Sequence, residues 1–183
     1  MANDQNLVWI DLEMSGLDLS RDVILEIATI ITDNNLHIIA EGPDIIIHQP
    51  DFILDSMNEW CARVHGQSGL TQASRESTVS VAEAAAQTLS FISAYCTPRS
   101  APLCGNSVHM DKAFLRVFMP DIDNYLHYRI VDVSSIKEVI KRWYPNSPNK
   151  DFKKPENHRA LEDIRYSIAE LEHYRKFFFI TGL

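Results

Sequence analysis

The stretch Leu7-Val8-Trp9-Ile10-Asp11-Leu12-Glu13 decides how this chain is read. Four apolar residues run straight into two carboxylates spaced two apart. Such a run reads as a β-strand, placed at about residues 6–12, and residues i and i+2 of a strand point to the same side. Asp11 and Glu13 are therefore projected together from a strand tip. Like charges held that close raise each other's pKa and destabilise the fold unless a cation lies between them. A pair of solvated acids at a strand end would read the same way, so the remaining acids must decide.

Asp111 is the first of them. The segment from Asn106 to Phe118 reads as a helix with Asn106 or Ser107 as its N-cap. Its apolar stripe contains Phe114, Leu115 and Phe118, and stepping back three and four residues lands on Asp111. A carboxylate thus occupies a core-facing position. Buried ions are paired or bound to metal, so either a salt bridge or a metal ligand satisfies this pattern. The second is Asp163, in His158-Arg159-Ala160-Leu161-Glu162-Asp163. Lys153 to Asn157 reads as a loop and helix start. Ala160, Leu161, Ile164, Ile168 and Leu171 supply the buried stripe of the helix that follows, and Asp163 flanks it. His158 lies roughly 140° from Asp163 around an ideal helix, so the two share a site only if His158 belongs to the loop or a frayed first turn. Glu162 lies about 100° from Asp163 and reads as a solvated residue.

In order and spacing, Asp11-Leu12-Glu13, then Gly105-Asn106-Ser107 leading to Asp111, then His158 to Asp163 resemble the three motifs of the DEDDh 3′→5′ exonucleases. Within that superfamily the chain resembles the oligoribonuclease family nearly end to end. The supporting stretches are Trp9 to Leu17, Met57 to Cys61, His65 to Leu70 and Tyr128 to Ser135. The resemblance implies Asp11, Glu13, Asp111 and Asp163 as metal ligands and His158 as general base. It also implies Leu17 and Trp60 as base-stacking residues. Ser107, Arg129 and Ser134 would cap the far phosphate, with Tyr128 and His65 nearby. For Trp60 a plain core anchor, and for Arg129 a salt bridge at a strand start, are the structural alternatives. The implied activity is 3′→5′ hydrolysis of very short RNA, dinucleotides to about five nucleotides, to nucleoside 5′-monophosphates. A DEDDh exonuclease for longer RNA or DNA ends, or an inactive nucleotide-binding module, are the alternatives. The family also implies a homodimer.

The chemistry of the residues agrees. Oxygen-only donors suit hard cations such as Mg²⁺ or Mn²⁺. Two such ions can clamp an in-line phosphoryl displacement, and histidine titrates in the range needed to accept a water proton near neutrality. The net charge of −8 disfavours long polyanions, which are normally held by basic surface. Lys150 to Lys154 contains the chain's only lysine cluster.

Elsewhere the 183 residues, 45% of them apolar, suit a single exonuclease domain. No apolar run is long enough to span a bilayer, and no signal peptide fits ahead of a strand near residue 7. With Cys61, Cys96 and Cys104 reading as packed free thiols, these features predict a cytoplasmic protein without a membrane partner. Further strands are expected at Val23 to Thr32, from Leu36 to His48, Ala101 to Gly105 and Tyr128 to Asp132. Further helices are expected at Ser56 to Val64, Val81 to Tyr95 and up to Trp143. A three-strand meander followed by αβαβα is an α/β pattern fitting a ribonuclease-H-like mixed sheet flanked by helices, which the resemblance implies independently. Phe177-Phe178-Phe179-Ile180 could close the core or pack against a second chain.

Overall fold

The computed structural model describes residues 4–153 and 159–179. Five strands form one sheet in the order β3-β2-β1-β4-β5. β1 (Leu7–Met14) is central. It pairs antiparallel with β2 (Ile24–Thr32), which pairs antiparallel with β3 (Ile38–Ile46). On its other side β1 runs parallel to β4 (Leu103–Gly105), and β4 to β5 (Ile130–Asp132). The expected mixed sheet is therefore present. Eight helices are described: α1 (Asp51–Leu54), α2 (Glu59–Gln67), α3 (Leu70–Glu76), α4 (Val81–Tyr95), α5 (His109–Phe118), α6 (Pro120–Tyr125), α7 (Val133–Trp143) and α8 (Ala160–Phe178).

The two-residue period of β1 sorts the core into two layers. Val8, Ile10 and Leu12 face a cluster with Ile92, Phe114, Leu115 and Ile122, drawn from α4, α5 and α6. Trp9 faces the opposite cluster with Val133, Ile140, Ala160, Ile164 and Ile168, drawn from α7 and α8. By the same parity Asp11 and Glu13 emerge on the α8 side. Trp9 is fully buried, and its indole N–H finds Thr32 Oγ1 at 3.0 Å, so this large ring costs no unpaired donor.

Several local expectations shift. β1 extends through Met14, so Glu13 lies within the strand rather than past its end. β5 begins at Ile130, later than expected. The first long helix starts at Glu59 because Asn58 caps it, accepting from Cys61 N–H at 2.9 Å. Val81–Tyr95 is as expected, with the reciprocal Ser80–Glu83 capping box in place. α5 has no side-chain cap: Asn106 and Ser107 are engaged elsewhere, and Ser107 has φ 51°. Leu161 and Leu171 pack at the margin of the α8 stripe; Tyr174 and Glu170 are the more deeply buried residues. The three cysteines are free and buried. Phe178 stacks on Tyr144 and Tyr174, whereas Phe177 and Phe179 are exposed; Ile180 lies outside the described residues. Among the described residues no helix is long and apolar enough to cross a membrane.

Candidate active site

Asp11, Glu13 and Asp163 converge at the tip of β1. Each offers a carboxylate oxygen, and these oxygens lie within 4.8 Å of one another. β1 supplies the first two from one face. α8 supplies the third from its first turn, where the Asp163 N–H donates to Arg159 O at 3.0 Å. The β1–β2 register slips between Glu13 and Met14, a bulge that re-aims the side chain at the strand end.

Asp111 arrives from the opposite layer. Its Oδ1 accepts the Leu12 N–H at 3.0 Å, and the side chain is buried. This hydrogen bond fixes α5 to the strand that carries Asp11 and Glu13. Asp111 thus sits against β1 but outside the three-oxygen cluster. His158 lies outside the described residues. Glu162 is exposed, as its helical position requires.

The electrostatics match a cation site. Glu13 is pushed up to about 8, chiefly by burial, then by Asp163, Glu26 and Asp111, with Arg159 opposing. Burial therefore outweighs the neighbouring charges that sequence spacing brings to mind. Asp111 is pushed up to about 7, again chiefly by burial, with the Leu12 N–H opposing. Glu13 and Asp111, held back from ionising, and the half-buried oxygens of Asp11 and Asp163 fit a hard divalent cation, which Asp11, Glu13 and Asp163 would hold with Asp111 adjacent.

This has a consequence for stability. Between about pH 4.5 and 8 the folded, metal-free chain keeps a proton on Glu13 that the unfolded chain has released. The native state then binds more protons, so stability falls as pH rises through that window. Asp111 adds the same sign up to about pH 7. In chelator, the melting temperature should drop from pH 5.5 to 8. Added Mn²⁺ should raise it most at pH 8, where the proton otherwise competes least. A melting temperature that rises with pH in chelator would contradict the burial of these acids.

Beside Glu13 opens a cavity of about 300 Å³ lined by Met14, Gly16, Leu17, Asn58, Trp60 and His65. Leu17 is 65% exposed and Trp60 54%, so Trp60 is no core anchor. The Leu17 loop is held by a buried Asp22, which accepts from Ser15 Oγ at 3.1 Å and Asp18 N–H at 2.9 Å. A Cβ on Gly16 would meet Asp22 Oδ2 at 2.3 Å, so only glycine fits here without moving that carboxylate. His65 is buried in the same cavity, its Nε2 2.9 Å from Met14 O and its Nδ1 3.9 Å from Glu13 Oε2. It lines this cavity with Leu17 and Trp60.

Ser107 and Ser134 do meet. They follow the carboxyl ends of the parallel strands β4 and β5, and their hydroxyls lie 3.2 Å apart. Ser107 N–H also donates to Asp132 Oδ1 and Ser134 Oγ, both at 3.0 Å, which explains its left-handed backbone. Asn106, the other candidate cap, instead joins Ser167 at 2.9 Å and the buried Glu170 at 3.1 Å. Arg129 and Tyr128 precede β5, so the strand's length, roughly 10 Å, separates their backbone from Ser134. Arg129 is exposed, with its guanidinium carbon 5.0 Å from the centre of the Tyr128 ring.

The exonuclease family model matches residues 8–171. The oligoribonuclease of Pseudomonas aeruginosa is 58% identical over 178 residues, covering 97% of this chain and 98% of that protein. That of Marinobacter nauticus is 53% identical over 179 residues, covering 98% and 99%. The chain belongs to the oligoribonuclease family of exonucleases. Among solved structures, Escherichia coli exonuclease I with a 5cy-dT13 oligonucleotide superposes with a TM-score of 0.70 at 17% identity. Exonuclease I of Methylocaldum szegediense gives 0.69 at 18%. The superposition on the E. coli enzyme covers 95% of this chain but only 41% of that one, and it shows the shared exonuclease fold. As a family member the chain is a nuclease, a hydrolase of phosphodiester bonds, and its acidic cluster is suited to a divalent metal.

Proposed function

We propose that this chain is a 3′→5′ exoribonuclease that degrades very short RNA, from dinucleotides to about five nucleotides, to nucleoside 5′-monophosphates. The observation that carries this reading is that Glu13 belongs both to the three-carboxylate cluster and to the wall of the small Leu17–Trp60 cavity. At about 300 Å³ that cavity is at the lower end of small-ligand sites and has room for little more than a terminal base or two.

Asp11, Glu13, Asp111 and Asp163 would hold two Mg²⁺ or Mn²⁺ ions. Bound there, such ions supply an ionised water nucleophile and stabilise charge on the leaving 3′-oxygen. His158 takes the proton of the attacking water as general base. Leu17 and Trp60 sandwich the bases next to the scissile bond, and His65, anchored at Met14 O, lines the same cavity as a substrate-binding residue. Ser107 and Ser134 face the far phosphate, and the Arg129 fork closes on it from across β5, next to Tyr128. A short fragment reaches from the metals to that cap; a long chain must pass it over a protein of net charge −8. The intact carboxylate set argues against an inactive nucleotide-binding module. The reading includes a single domain, a homodimer as the family resemblance implies, and a cytoplasmic location.

RNA labelled at its 5′ end tests the direction. Sequential loss of nucleoside 5′-monophosphates from the 3′ end is expected; release of internal fragments or 3′-phosphates would overturn the assignment. Trp60→Ala tests the cavity. Loss of one stacking wall should cost roughly 1–3 kcal/mol per base, raising the KM for a dinucleotide about 5- to 150-fold with little change in kcat. An unchanged KM would remove Trp60 from substrate binding.

A further inference from the structure

Glu26 is the most deeply buried acid near the site, fully excluded from solvent on the central part of the sheet. It stands directly opposite Glu13 in the β1–β2 register. Opposed residues of an antiparallel pair share a face, so Glu26 projects toward α8 with the carboxylate cluster. Two acids directly opposed destabilise a sheet unless something offsets them. Here the offset comes from a residue 133 positions away. Arg159 directs Nε and Nη2 at Glu26 Oε1, at 3.0 and 2.7 Å, and the Ala160 N–H reaches Oε2 at 3.4 Å.

That pairing occurs at a mechanically decisive place. Arg159 is the residue at which α8 begins, and its carbonyl accepts the Asp163 N–H one turn on. Glu26 therefore grips the start of the helix through both its side chain and its backbone, and Asp163 is one rigid turn from the grip. Six residues beyond Arg159, Arg165 Nη2 binds Glu41 Oε2 on β3 at 2.6 Å. Asp44, opposite Ala28 on β3, lies on the same face as Glu26. The apolar stripe of Ala160, Ile164 and Ile168 is non-directional and would tolerate a small slide of the helix along the sheet. A planar fork on a fixed carboxylate does not.

We propose that Glu26 and Arg159 are a positioning pair that sets the distance of Asp163 from Asp11 and Glu13, and so sets the affinity of the site for divalent cations. Neither residue touches substrate. This inference rests on the metal-dependent reading given above. It predicts that disturbing the pair weakens cation binding before it weakens chemistry.

The test is calorimetric titration of Mn²⁺ into the full chain without RNA, for wild type, Arg159→Lys, Glu26→Gln and Asp163→Ala. Arg159→Lys keeps the charge but loses the fork, and its side chain is 37% exposed, so it is the variant best placed to fold. Outer residues that orient metal ligands typically contribute about 10–100-fold in affinity. Arg159→Lys and Glu26→Gln should weaken Mn²⁺ binding by that factor, with kcat on a dinucleotide returning to near wild type at saturating Mn²⁺. Melting in chelator separates this from a purely structural role, which would lower the melting temperature and leave Mn²⁺ affinity alone. Folded Arg159→Lys with wild-type Mn²⁺ affinity would overturn the positioning role while leaving the functional reading intact. Wild type that binds no Mn²⁺ would overturn both.

Discussion

Asp11→Ala and Asp163→Ala should each lower phosphodiester hydrolysis by about 10³-fold or more. Removing a single preorganised charge-stabilising group already costs about 10²–10³-fold, and here nucleophile generation fails as well. The two residues come from different elements, β1 and α8, yet their carboxylate oxygens lie within 4.8 Å of each other and of Glu13. Their loss should therefore be equivalent in effect despite a separation of 152 positions in the sequence. The variants should stay folded. Asp163 is one of the charges that hold Glu13 up, so in Asp163→Ala melting in chelator should hold level or rise. Circular dichroism with a single-turnover assay checks both. Wild-type turnover in either variant would displace the active site from the β1 tip.

The second large effect is expected from His158→Ala. General-base removal typically costs on the order of 10²–10⁴-fold. It should act on kcat, with Mn²⁺ affinity and dinucleotide KM little changed, because His158 is assigned to the water proton and to neither ligand. The pH–rate profile should lose its limb near neutrality, where histidine titrates. A variant that keeps the wild-type profile would return His158 to the status of a solvated loop residue.

Much of this site was legible in the sequence because it rests on short-range periodicity. The two-residue period put Asp11 and Glu13 on one face, and β1 obeys it, with Trp9 in one layer and Ile10 in the other. The helical period marked Asp111 as core-facing, and it is 5% exposed. What escaped depends on contacts that no local window contains. Glu26 was visible as a lone acid in Ile24 to Thr32, but its partner Arg159 lies 133 residues on. Asn106 and Ser107 both suit a helix cap by type and place; the buried Glu170 on α8 competes for Asn106, and Ser134 takes Ser107. The place of Arg129 in the cap rests on the family resemblance, since no local pattern relates a residue before β5 to Ser134 after it. Periodicity leaves Trp60 open between a stacking residue and a core anchor, since a helix in isolation does not say which side the sheet will cover; it is exposed.

Length preference tests the central claim most directly. The measurement is kcat/KM for 5′-phosphorylated RNAs from two to about twenty nucleotides, with Mg²⁺ and again in chelator. A small cavity beside the carboxylates, in an acidic protein, predicts the highest value for the dinucleotide, a steep fall with length, and no turnover in chelator. A value that is highest for the twenty-mer, or hydrolysis that persists in chelator, would contradict it.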